Sequence, residues 1–329
     1  MALKKRALSG VQPSGKIHLG NLIGALENWV KLQASYDCFF FIADLHALTT
    51  GYADTSKIKE NIFEIQVDML SIGLDPKNST LFVQSDIPEH AELHLLLSMI
   101  TPLSWLERVP TYKSQIKELK GRDLGTYGFL GYPVLQAADI LIYKADVVPV
   151  GQDQLPHLEL TREIARRFNH FYKKEVLKPP KDVLTKVPVL PGIDGRKMSK
   201  SYGNAIFISD SPDVLSKKVA EMITDPARVK KSDKGHPNVC SVFTYHGIFN
   251  KEELKQIEAD CKSAKIGCVE CKKRLTAKLL DYLKLIHEKR EKYLKDPMLV
   301  KKIFSEGTEK AKKIAAGTLE EVKTIMGVK

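Results

Sequence analysis

Two short polar stretches carry residues suited to phosphate chemistry. In "PSGKIHLGN" a tight turn delivers His18 to the start of a helix. Gly20 leaves no side chain, so a flat ring or a phosphate can approach the backbone. His18 and Asn21 lie one turn apart and can both donate to phosphate oxygens, and free N–H groups at a helix start favour an anion. In "GRKMSKS" Arg196, Lys197 and Lys200 stand with Ser199 and Ser201 on a glycine-flanked loop. Mobile cations with hydroxyls suit a polyphosphate whose charge moves during reaction. Taken singly, a polar helix cap and a basic surface turn account for the same residues.

Four of the five cysteines form a second constellation, Cys240, Cys261, Cys268 and Cys271. Four thiolates suit structural zinc or an iron–sulfur cluster. The spacing holds one C-x2-C pair where a zinc ribbon has two, which fits a cubane better. Cys38 lies in an apolar run and reads as a buried small hydrophobe. His90 and His94 are one helical turn apart, with no "HExxH" around them, and read as a solvated helix face.

These residues need a scaffold. "RALSGV", "CFFFIA" (38–43), "TLFVQ" (80–84) and "ADVVPV" (145–150) read as strands, and the uniformly apolar ones as buried on both faces. Helical periodicity fills the intervals: "HLGNLIGALENWVKLQ", about 56–72 ending at Gly73, and a segment beginning near Asp153. Residues from about 87 to 143 read as a helical insertion. This order predicts an α/β fold, a doubly wound parallel (Rossmann-like) sheet over residues 1–205, with ligands bound beyond the carboxyl ends of its strands. Residues 206–329 read as an all-α C-terminal domain. There "TLEEV" reads as a capping box with Thr318 as N-cap, and the Lys-rich 301–313 as exposed surface or a helix docking back on the first domain.

Composition narrows the partners. The net charge is +11 in 329 residues, and the last 79 carry 20 Lys and Arg against 13 Asp and Glu. That points to a polyanion, nucleic acid first, or to a lysine-rich solvated face. No apolar run reaches membrane-span length, and the charged N-terminus lacks an apolar signal core, which predicts a reducing cytoplasm.

"HLGN" in the first β-α turn and "KMSKS" at 197–201 match, in order and spacing, the paired motifs of class I aminoacyl-tRNA synthetases. With "YPVLQAADILIYKADVVPVGQDQ" and "HLELTREIARRFN", the chain resembles the bacterial tryptophanyl-tRNA synthetases along essentially its whole length. The resemblance implies activation of L-tryptophan by ATP with Mg²⁺, transfer to tRNA(Trp), and a homodimer. It implies an ATP site of Gln12, Pro13, Ser14, Gly20, Asn21, Gly151, Gln152, Asp153, Val189, Lys197, Met198, Ser199, Lys200 and Ser201. His18, Asn21, Lys197 and Lys200 would act on the phosphates, with 195–203 as the mobile loop. Asp139 would accept the indole N–H, and Tyr132, Gln136, His46 and Gln154 would complete the tryptophan site. The all-α region would bind the anticodon, and a subset of the family holds a [4Fe–4S] cluster there on cysteines spaced much like these, zinc being the alternative. Two positions depart from the common pattern: Gln152 stands where many members carry Glu, and Gln136 where many carry Met. Tyrosyl-tRNA synthetases, which read a phenol with a Gln and an Asp, are the neighbouring alternative. A nucleotidyltransferase without tRNA is a more distant one.

Overall fold

The computed structural model describes residues 4–110, 112, 124–184 and 189–329. Part of the expected insertion, at 111 and 113–123, lies outside the described residues.

The sheet is parallel throughout, with strands β1 (Arg6–Val11), β2 (Asp37–Ile42), β3 (Ser79–Val83), β4 (Val147–Val150) and β5 (Lys181–Leu184) in the order β3-β2-β1-β4-β5. Phe39, Phe40, Leu81 and Phe82 are fully buried, as uniformly apolar strands between two helical layers must be. β1 pairs with β2 along its whole length, from Arg6↔Asp37 to Val11↔Ile42, but meets β4 at Ala7↔Val147. The strand order reverses between β1 and β4, and that crevice is where such sheets bind ligands.

The helix after β1 begins at Leu19–Asn21, passes through a π turn at Leu22–Leu26 and continues over Glu27–Leu32. Ile58–Ser71 follows, and the chain turns at Gly73 with φ +105°. Glu89–Ser98, Leu103–Glu107 and Tyr127–Leu141 are the described helices of the insertion. The helix expected near Asp153 is preceded by a 3-10 turn at Gln152–Gln154 and runs over Leu155–Tyr172. β5 was not anticipated: "KDVL" is short, polar and partly exposed, so its sequence lacks an apolar run.

From Pro212 onward the regular structure is helical, ending in Cys268–Lys295 and Pro297–Met326. One apolar core crosses from the sheet into these helices, joining Ala7, Ile17 and Leu81 to Leu279, Leu283, Val300 and Phe304. The Thr318 capping box is corrected: Thr318 is buried inside the final helix, whose N-cap is Asp296, accepting from Leu299 N, with Pro297 beside it. A T-x-x-E spacing puts two residues on one helix face as readily as it caps a start.

The Lys-rich segment docks back on the sheet. A Cβ on Gly307 would collide with the Leu81 carbonyl oxygen, so the final helix rests directly on the backbone of β3. Gly307→Ala is therefore expected to destabilise the protein by about 1–3 kcal/mol, overpacking outweighing the better helix propensity of alanine. A urea midpoint equal to or above wild type would contradict this contact.

Candidate active site

His18 caps the helix after β1 reciprocally. Its Nδ1 accepts from Asn21 N at 3.1 Å, and its own N–H donates to Asn21 Oδ1 at 3.4 Å. Nδ1 being an acceptor, the proton of the neutral ring sits on Nε2. Burial first, then the charge of Lys200, pulls the imidazole down to about 4, so it is a neutral donor at physiological pH. Two of the backbone amides expected to be free are already used: Leu19 N donates to Ile206 O at 2.9 Å, and Asn21 N to the ring. The side chains of His18 and Asn21, with Lys200, line the cavity here. The space above Gly20 is taken by the His18 ring, which would stand 3.0 Å from a Cβ placed there, with Met198 Sδ at 3.7 Å.

The lysine loop is folded against this turn. Residues 17–19 and 206–208 run antiparallel, with Ile208 N on Ile17 O at 3.0 Å and His18 paired with Phe207. Buried Asn204 staples the loop: Oδ1 accepts from Ser199 N at 2.8 Å, while Nδ2 donates to Asp194 Oδ1 at 2.7 Å and to Lys197 O at 3.2 Å. Lys200 Nζ donates to Gly15 O at 2.8 Å and to Ser14 Oγ at 3.4 Å. Val11, Gln12, Ser14, His18, Asn21, Tyr132, Met198, Ser199, Lys200 and Ser201 line one cavity of about 670 Å³.

Gln12 also lines the adjoining cavity of about 290 Å³ at the β1/β4 crevice, with Gly10, Trp29, Phe41, His46, Gln136, Asp139, Val150, Gly151 and Gln154. Asp139 is fully buried at its floor. Oδ2 accepts from His46 Nε2 at 2.9 Å, Oδ1 from His90 Nδ1 at 2.6 Å, and Gln84 Nε2 reaches both oxygens at 2.8 and 2.9 Å. Burial opposes ionisation, but the bonds from His46 and His90 outweigh it and hold the carboxyl at about 2. Gln84 Oε1 accepts from Leu45 N at 3.2 Å, which fixes the amide with its NH₂ toward the carboxylate.

Four of the five residues expected around tryptophan thus share one cavity, whereas Tyr132 lines the neighbouring one and bonds His157 Nε2 at 2.8 Å. Of the expected ATP residues, Gln152 and Asp153 are exposed, Pro13 is buried and lines neither cavity, and Lys197 and Val189 are exposed outside both cavities. The reading of His90 as solvated is corrected: it is fully buried between Asp139 and Tyr143, whose hydroxyl lies 2.7 Å from Nε2. Gln84 and His90 were missed. Gln84 had one usable signal, a polar residue ending an apolar strand.

The cysteines gather where the C-terminal helices meet. Cys240 precedes Ser241–Phe249, Cys261 lies in the last turn of Leu254–Lys262, and Cys268 and Cys271 lie in the first turn of the next helix. Burial first, then the charges of Cys240, Cys261 and Cys268, pushes Cys271 up to about 12. Burial also raises Cys240, against backbone N–H groups of Phe243, Val242 and Asp225. Arg228 Nη1 approaches Cys261 Sγ at 3.8 Å, and Cys271 Sγ lies 3.4 Å from His246 Nε2. Among the described residues no three or more His, Cys, Asp or Glu stand in a metal-binding arrangement.

The phosphate-side geometry predicts a pH profile. Burial pulls Lys200 down to about 8. Its charge is present below that value and lost above it, while His18 stays neutral above about 4. On the expectation that this cavity takes ATP, kcat/KM for ATP, which reports the free enzyme, should fall above about pH 8 through loss of the Lys200 charge. In Lys200→Arg, which cannot deprotonate, that limb should vanish. Its persistence would assign the ionisation elsewhere.

Comparison with known proteins accords with this geometry. Residues 3–284 match the family model described as tRNA synthetases class I (W and Y). A tryptophan–tRNA ligase of Thermotoga maritima is 54% identical, the match covering 98% of this chain and 99% of that protein. One of Aquifex aeolicus is 45% identical over 98% of this chain and all of its own. The crystal structure of tryptophanyl-tRNA synthetase from Campylobacter jejuni complexed with ADP and tryptophan superposes with a TM-score of 0.89 at 35% identity, covering 98% of this chain and 99% of that one. The chain belongs to the class I tRNA synthetases, among the tryptophan–tRNA ligases.

Proposed function

We propose that this chain charges tRNA(Trp) with L-tryptophan through the two adjoining cavities. In the first step the tryptophan carboxylate attacks the α-phosphorus of ATP, and pyrophosphate leaves. In the second, the terminal ribose hydroxyl of the tRNA attacks the adenylate carbonyl, its proton passes to solvent, and AMP leaves. The carboxylate is already anionic at neutral pH, so the first step needs positioning and charge stabilisation rather than a base. The neutral His18 donor, Asn21 and Lys200 receive the phosphates, and Mg²⁺, when bound with the nucleotide, would supply further neutralisation of their charge. Asp139 accepts the indole N–H, which is a donor only, and His46 is the cavity-side donor that shares Oδ2 with it.

The observation that carries this reading is Lys200 closed on Gly15 beside a cavity floored by an ionised, buried carboxylate. ATP–pyrophosphate exchange across the twenty amino acids tests it. Exchange with tryptophan alone is expected. Exchange with tyrosine would favour the neighbouring enzyme, and pyrophosphate release that leaves the adenylyl group on the product, with no tRNA-dependent transfer, would favour a nucleotidyltransferase.

Residues 1–205 are assigned to catalysis and 206–329 to the anticodon, supported by the exposed Lys262, Lys265, Lys273 and Arg274 around the cysteines. Lys197 joins the leaving pyrophosphate when the loop shifts, and Gln152, Asp153 and Val189 lie toward the nucleoside. A homodimer is supported by Leu95, Met99 and Leu103, all more than half exposed on one stretch of the insertion. Cys240, Cys261, Cys268 and Cys271 would hold a [4Fe–4S] cluster, or zinc, as a structural pin. Supporting this, burial first and then the neighbouring thiols raise Cys240, Cys261 and Cys271, so thiolates there need a cation among them. Protein purified without oxygen is expected to be brown and to contain iron; colourless protein with stoichiometric zinc would identify the other ion.

A further inference from the structure

The Cys268–Lys295 helix reaches the sheet through three polar side chains that line neither substrate cavity. Tyr282 donates its hydroxyl to Glu27, on the helix that His18 begins. His287 Nε2 donates to Ile208 O at 2.9 Å. Arg290 forks between two carboxylates of the Ile58–Ser71 helix, Glu64 at 2.8 Å and Asp68. Glu64 and Asp68 are four residues apart and so share one helix face. Asp68 is fully buried, and Arg290 is 6% exposed.

Asp68 has a second partner. Its Oδ2 accepts from the backbone N–H of Ile17 at 3.4 Å, the residue immediately before His18. The carbonyl of Ile17 accepts from Ile208 N at 3.0 Å, and Ile208 is the residue whose own carbonyl His287 holds. Both backbone groups of Ile17 are thus fixed through groups that this one helix grips. A buried carboxylate deprived of its guanidinium must find another cation, take a proton or move. Any of these shifts the Ile17 amide, and with it the imidazole that caps the next turn.

We propose that Arg290 is a positioning residue for adenylate formation, acting through Asp68 on Ile17 and so on His18. By this route the same helix that starts at Cys268 and Cys271 sets the geometry of the phosphate cavity. The inference rests on the reading of that cavity as the ATP site.

The test is tryptophan-dependent ATP–pyrophosphate exchange in Arg290→Met, Asp68→Asn and the double variant, with melting temperatures measured alongside. Arg290→Met is expected to lower kcat at least ~10-fold with the tryptophan KM within ~2-fold of wild type, because Asp139 and its donors do not touch this chain of contacts. Asp68→Asn should lose kcat similarly, and the double variant should be no worse than the more impaired single one, as groups acting in series are non-additive. Val300→Ala, a buried cavity on the neighbouring helix, controls for stability and should keep kcat within ~2-fold at a comparable melting loss. Should Arg290→Met fail to fold, Arg290→Lys retains the charge without the fork and is expected to show a partial kcat loss. Unchanged kcat in a folded Arg290 variant, a tryptophan KM that rises as kcat falls, additive losses, or an equal kcat loss in Val300→Ala would each overturn the proposal. Absence of exchange in the wild-type protein would instead strike at the reading of the site.

Discussion

Lys200→Ala is expected to lower the rate of tryptophanyl-adenylate formation by about 10²–10³-fold while weakening ATP binding far less. The asymmetry follows from timing. Negative charge accumulates on the pyrophosphate as its bond to the α-phosphorus breaks, so a cation placed there is worth most late in the step. Lys200 is, among the described residues, the cation that lines the cavity proposed for the phosphates, partly desolvated and held at 2.8 Å from the Gly15 carbonyl. Desolvation strengthens its field on a bound anion. Single-turnover quenching of adenylate formation, set against ATP affinity by titration, separates the two effects. Equal losses in rate and binding would mean that Lys200 binds ground state and transition state alike.

Asp139→Asn is expected to lower kcat/KM for tryptophan at least ~10-fold, which is ~1.4 kcal/mol or more. The carboxylate accepts from His46, His90 and Gln84 at once, all at 2.6–2.9 Å. An amide of the same shape brings an NH₂ against those donors and leaves at least one buried group unpaired, at a cost of about 1–3 kcal/mol. It also loses the charge that makes the indole bond strong. The KM for ATP should barely move, since among the described residues Gln12 alone lines both cavities. Steady-state exchange with tryptophan varied decides it, and unchanged kinetics would remove Asp139 from specificity.

Much of this was legible because the signals were local. Apolar runs marked β1 to β4 and the sheet class, and residues of the two polar motifs line one cavity. The partners of Asp139 were not legible, because Gln84 and His90 reach it across 55 and 49 residues of chain. A histidine on a helix carries no local mark of being buried. β5 was missed since its partner β4 supplies the ladder that its own polar sequence does not advertise. Thr318 misled because capping boxes and helix interiors share a spacing, and only the cap at Asp296 distinguishes them. The link from Arg290 to Ile17 spans more than 200 residues and has no sequence pattern at all.

The seat of Gly307 on β3 bears on how the protein is made. β3 is the outermost strand on its side, and the segment that covers it is synthesised more than two hundred residues later. While a ribosome is still extending the chain, that flank of the sheet stays bare, a template for pairing with another nascent copy. Early release before Pro297 would therefore yield a sticky product rather than a smaller working one.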